Sequence, residues 1–103
     1  MTKSSQRFLL DLLSTPSPTG WEVRGQQLWT DYVKKSAHRV ESDAYGNAWA
    51  TLDGSEPSAP SIMLEAHADE IGFIIKYITE HGFLRLTRVG GIPRFIRDID
   101  AIP

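Results

Sequence analysis

The sequence predicts an α/β fold in which two helices precede a series of short strands. Three observations carry that prediction: an i, i+1, i+4, i+5 apolar spacing near the start, a helix-start signal at Thr19–Glu22, and a switch to alternating periodicity from His38 onward. The resulting order is α-α-β-β-β-β-β, an α/β domain begun but not finished.

Residues 5–14 place Phe8, Leu9, Leu12 and Leu13 on one helical face. The run Ser14-Thr15-Pro16-Ser17-Pro18 ends this helix, because closely spaced prolines cannot continue an i→i−4 ladder. Thr19-Gly20-Trp21-Glu22 fits a capping box, with the Thr19 hydroxyl accepting from the Glu22 N–H and the Glu22 carboxylate reaching back to Thr19. The second helix is expected to run to about Lys35 and to bury Trp21, Leu28, Trp29, Tyr32 and Val33.

Arg39–Asp43 and Asn47–Leu52 read as strands joined through Ala44-Tyr45-Gly46. Asp53–Pro60 is a polar, proline-containing loop. Ser61–Ala66 is a short, mostly apolar run of the kind a buried strand carries. Ile71–Ile78 and Phe83–Val89 flank Thr79-Glu80-His81-Gly82 and predict a second hairpin. The tail from Gly90 to Pro103 has no clear character of its own.

Composition narrows the possible functions. Hydrophobic content of 41% and charged content of 23% are ordinary for a soluble globular chain. Eleven basic residues against thirteen acidic ones, a formal charge of −2, argue against a nucleic-acid or anionic-membrane surface. The absence of cysteine excludes disulfides, thiolate nucleophiles and cysteine-type zinc sites. No run approaches the roughly 20 apolar residues of a membrane span, and Asp11 interrupts the only patch that resembles a signal peptide. A cytoplasmic location is the expectation.

The chemistry is concentrated in His67-Ala68-Asp69-Glu70, where an apolar run meets a loop. In extended backbone His67 and Asp69 point to one side, because side chains alternate. His67 can then offer a neutral imidazole lone pair to a divalent metal. Asp69 can accept the other ring N–H and fix the tautomer. Glu70 faces the other way and is given no ligand role. On spacing alone, an H-x-D pair is also compatible with ordinary solvated loop residues.

The run Ile62–Gly91 resembles the glutamyl-aminopeptidase and tetrahedral (deblocking) aminopeptidase family, some members of which bear an endoglucanase or cellulase name. The resemblance rests on the pattern A-H-x-D-E-[IV]-G-F, followed by a hairpin whose second strand begins G-F and then a Gly-Gly pair. The chain matches at Ala66, His67, Asp69, Glu70, Ile71, Gly72, Phe73, Gly82, Phe83, Gly90 and Gly91. Leu10–Leu13 with SPTGWE, and Asp43-Ala44-Tyr45-Gly46-Asn47, are similar to the family's first helix, its S-x-x-G-x-E turn and its D-x-x-G-N turn.

The resemblance implies a two-metal aminopeptidase, with zinc or cobalt as the ions and short peptides as substrates. It makes His67 a metal ligand and Asp69 its orienting partner. It also divides the chain into residues 1–70, the N-terminal part of the catalytic domain, and 71–103, the start of an inserted all-β dimerisation domain through which homo-oligomers form. The family's bridging aspartate, Glu-Glu pair, further aspartate and second histidine have no match after Glu70, and the tail after Gly91 departs from the pattern. His38 and His81 read as solvated. One histidine and one aspartate cannot close a zinc site, which wants at least three protein ligands. The 103-residue chain is therefore expected to be an incomplete fragment, inactive by itself.

Two other classes are weighed. A non-catalytic α/β binding or assembly module would use His67 and Asp69 as a satisfied polar pair; a coding sequence that continues into the family's later ligands separates it from the peptidase. Glycoside hydrolysis needs two opposed carboxylates across a sugar, whereas Asp69 and Glu70 are adjacent and project to opposite sides of a strand.

Overall fold

The computed structural model describes residues 1–91. Helices α1 (Lys3–Leu13) and α2 (Val23–Val33) are followed by β1 (Arg39–Ser42), β2 (Ala48–Thr51), β3 (Gly72–Ile78) and β4 (Leu84–Val89). β1 and β2 form one antiparallel pair and β3 and β4 another. The α-α-β order of the sequence is thus realised as an α/β arrangement with two separate hairpins.

The helices meet through their apolar stripes. Phe8 of α1 stacks on Tyr32 of α2 with ring centroids 3.8 Å apart and planes 11° from parallel. The Tyr32 hydroxyl lies 3.1 Å from Ser5 Oγ, and Lys35 reaches over the same ring. Thr2 caps α1, its hydroxyl accepting the Ser5 N–H at 3.1 Å. Gln26 of α2 donates to the Gly46 carbonyl at 2.9 Å and so ties the helix to the β1–β2 turn.

That turn is closed by Asp43. One carboxylate oxygen accepts the Tyr45 and Asn47 N–H groups, each at 2.9 Å, and the other accepts the Asn47 side-chain amide at 2.8 Å. At the far end of the pair, the Asp53 N–H donates to His38 Nδ1 at 2.8 Å, so His38 closes the hairpin. The β3–β4 pair runs Gly72↔Val89 to Ile78↔Leu84, with a bulge between Ile75 and Tyr77. Thr79 closes its turn, accepting the Phe83 N–H on its hydroxyl at 3.0 Å.

Three sequence expectations are corrected. The first concerns the start of α2. The Trp21 N–H donates to the Pro18 carbonyl at 2.8 Å, closing a β-turn with Gly20 at φ +84° in its third position. This turn occupies residues that a capping box would have fed into the helix, so α2 begins at Val23. The Glu22 carboxylate accepts the Gly20 N–H at 2.6 Å rather than that of Thr19. The second concerns Trp21, which is 79% exposed because the turn holds it off the helix face. The third is the strand expected at Ser61–Ala66. Residues 52–69 carry no strand, since no other described segment pairs with them, and Leu64 is 93% exposed. The tail expectation falls on residues 92–103, outside those described.

Candidate functional site

His67 and Asp69 sit where the loop returns to the helical part of the molecule. Glu70 forms a parallel bridge with Pro18, in the turn between α1 and α2. The Glu70 N–H donates to the Ser17 carbonyl at 2.8 Å, and the Thr19 N–H donates to the Glu70 carbonyl at 3.3 Å. The Glu70 carboxylate accepts the Ser17 N–H at 2.9 Å. Its side chain therefore turns toward Ser17 and holds the segment in place.

His67 and Asp69 are brought together. His67 Nδ1 lies 3.0 Å from Asp69 Oδ1 and 2.9 Å from the Asp69 carbonyl oxygen. An ionised carboxylate and a carbonyl can only accept, so Nδ1 must carry the proton. Nε2 is then the ring nitrogen with a free lone pair, and the imidazole is 85% exposed. Asp69 in turn accepts a hydrogen bond from the Thr19 hydroxyl at 2.7 Å on its other oxygen, Oδ2. That hydrogen bond is the largest cause holding the Asp69 carboxyl below the ordinary carboxylate range. Partial desolvation opposes it, while the His67 hydrogen bond and charge add to it.

The arrangement suits one metal ligand: an oriented, neutral imidazole whose free nitrogen is open to solvent. It does not suit a closed site, for no group of three or more His, Cys, Asp or Glu residues that could hold an ion occurs among the described residues. His38 lies at the open end of the β1–β2 pair and His81 in the β3–β4 turn. Sequence reasoning missed Thr19, Ser17 and Glu70 as parts of this corner. The signal was present as two motifs, S-x-x-G-x-E and A-H-x-D-E, but each was read by itself.

Comparison with known proteins gives these motifs a common source. The sequence model of the M42 glutamyl aminopeptidase family matches residues 46–98, which includes the H-x-D segment and runs past Gly91. A lysyl aminopeptidase of Pyrococcus furiosus is 35% identical over 82 residues, 79% of this chain and 23% of that protein. A glutamyl aminopeptidase of Lactococcus lactis subsp. cremoris is 34% identical over 65 residues, 59% of this chain and 18% of that protein. Among solved structures, a TET aminopeptidase from a marine-sediment Thaumarchaeota archaeon superposes with a TM-score of 0.78 at 27% identity, over 87% of this chain and 25% of that one. The chain thus spans about a quarter or less of the length of these relatives.

Proposed function

Because the chain belongs to the M42 glutamyl aminopeptidase family, we propose that the protein acts as a metal-dependent aminopeptidase, releasing N-terminal residues from short peptides. Its described part contributes one metal ligand, Nε2 of His67, oriented by Asp69. The single observation that carries this reading is the geometry at His67, whose Nδ1 lies within 3.0 Å of two Asp69 oxygens while the rest of the ring is open to solvent. Two bound divalent ions, zinc or cobalt, would supply an activated water and polarise the scissile carbonyl. This chain's own residues hold the imidazole in one tautomer and leave its approach unobstructed. Residues 1–70 form part of the catalytic domain and 71–103 begin an inserted β domain that mediates homo-oligomerisation. A cytoplasmic location is part of the same proposal; no helix among the described residues is long and apolar enough to cross a membrane.

The test compares the gene's full translation product with the 103-residue chain, using aminoacyl p-nitroanilides and added zinc or cobalt. The full product releases chromophore, loses activity on chelation and regains it when metal returns. His67→Ala abolishes activity together with one metal equivalent. Asp69→Asn lowers metal affinity by roughly 10- to 100-fold, the usual effect of losing a partner behind a ligating histidine. The 103-residue chain is inactive, since it offers too few ligands among its described residues. Metal-dependent turnover by that chain, or full activity in His67→Ala, would overturn the reading.

A further inference from the structure

The carboxylate that orients His67 is itself held from outside the H-x-D segment. Asp69 uses Oδ1 for the imidazole and Oδ2 for the Thr19 hydroxyl, at 3.0 and 2.7 Å. With one partner on each oxygen, the carboxylate plane has a single arrangement that satisfies both. Thr19 lies fifty residues upstream, so neither the loop nor the metal-ligand motif could supply this second anchor.

Thr19 is fixed in turn. Its N–H donates to the Glu70 carbonyl, its neighbour Pro18 forms the parallel bridge with Glu70, and Ser17 makes two further hydrogen bonds to the same glutamate. The turn is closed independently by the Trp21 N–H on the Pro18 carbonyl, with Gly20 in the left-handed region. Both ends of the Thr19–Asp69 hydrogen bond are thus anchored in backbone, which limits the entropy lost when the side chains meet.

We propose that Thr19 is a positioning residue for the metal site, acting through Asp69 to hold His67 in the tautomer that presents Nε2, and that the α1–α2 turn is the template on which this corner is built. The proposal rests on the reading of His67 as a metal ligand. Thr19 touches neither metal nor substrate in this scheme; it steadies the carboxylate, which together with the Asp69 carbonyl at 2.9 Å accepts from Nδ1 and leaves Nε2 the lone pair.

The experiment uses the gene's full translation product, metal-free and labelled with nitrogen-15 and carbon-13, at a pH where imidazole is neutral, about 8 to 9. The imidazole nitrogen shifts of His67 are read in the parent, Thr19→Val, Thr19→Ser and Asp69→Asn chains. The expected result is a pyrrole-type Nδ1 in the parent. Thr19→Val moves that signal toward a pyrrole–pyridine average, and Thr19→Ser, which keeps the hydroxyl, restores it. Asp69→Asn moves it at least as far. A merely structural role for Thr19 would leave the tautomer unchanged in every folded variant. An unmoved Nδ1 in Thr19→Val, with Asp69→Asn moved, overturns the proposal while sparing the ligand reading. A pyridine-type Nδ1 in the parent overturns both, whereas an unmoved Asp69→Asn overturns the proposal alone, because the Asp69 carbonyl at 2.9 Å can then hold Nδ1–H by itself. Should Thr19→Val fail to fold, the parent still decides. A slowly exchanging Thr19 hydroxyl proton with one fixed χ1 supports the relay, and a rotamer-averaged, fast-exchanging hydroxyl overturns it.

Discussion

Asp69 is the carboxylate of the candidate site whose titration is displaced. Its carboxyl is held below the ordinary range first by the Thr19 hydrogen bond. A folded pKa lowered relative to the unfolded one means that folding favours the ionised form. The associated stability is fully present above the ordinary aspartate value, about 4, and is lost as pH falls through the lowered folded value. Thr19→Val is therefore expected to move the Asp69 titration midpoint upward, read by carboxyl carbon-13 shifts. An unchanged midpoint would mean that the hydroxyl does not hold this carboxylate. The geometry at this scale is half legible in the sequence. The His67–Asp69 pair follows from its own spacing and from the chemistry of imidazole. Capping rules look only a few residues ahead, so they place Thr19 at a helix cap and cannot see a carboxylate fifty residues away.

Among the elements, the α1–α2 turn packs closely on helix α2 at Gly25. Gly25 is buried, and a Cβ added there would come within 2.9 Å of Ser17 Oγ and 3.4 Å of Ser17 Cβ. Ser17 Oγ is itself buried and has no hydrogen-bond partner among the described residues. Gly25→Ala alone gains helix propensity, about 1 kcal/mol, but crowds that hydroxyl. Ser17→Ala removes the orphaned hydroxyl and leaves only an ordinary contact to the new methyl. The double variant should thus melt at higher temperature than the two single effects sum to, with a coupling of about 0.5 kcal/mol or more in a thermal double-mutant cycle. Strict additivity would refute the crowding. Both hairpins were legible, because Asp43 and Gly46, or Thr79 and Gly82, are local turn chemistry. The strand at Ser61–Ala66 was not, because an apolar run states a need for burial without naming the partner that meets it.

For the molecule as a whole, the radius of gyration is 18.8 Å, against about 13 Å for a compact domain of 100 residues. Apolar side chains follow the same picture: Ile62, Met63 and Leu64 in the loop, and Phe73, Ile74, Ile75, Tyr77 and Ile78 on β3, are all exposed. Patches of this extent mark surfaces that expect cover. The 103-residue chain should therefore self-associate, with light scattering after size exclusion giving a mass above one chain and falling on dilution. A strict monomer with a cooperative melt at high temperature would contradict this. The apolar runs Ile62–Leu64 and Ile71–Ile78 are legible in the sequence, although nothing in them says which the two helices leave uncovered.

The Thr19–Asp69 hydrogen bond also has a consequence for how the protein is made. At a synthesis rate of about 5 to 20 residues per second, Thr19 leaves the ribosome roughly 3 to 10 seconds before Asp69. During that interval the turn must keep its shape without the partner it will orient. Its Trp21-to-Pro18 hydrogen bond and the left-handed Gly20 need nothing downstream, whereas the hydrogen bonds of Ser17 and Thr19 to Glu70 form only once Glu70 has emerged.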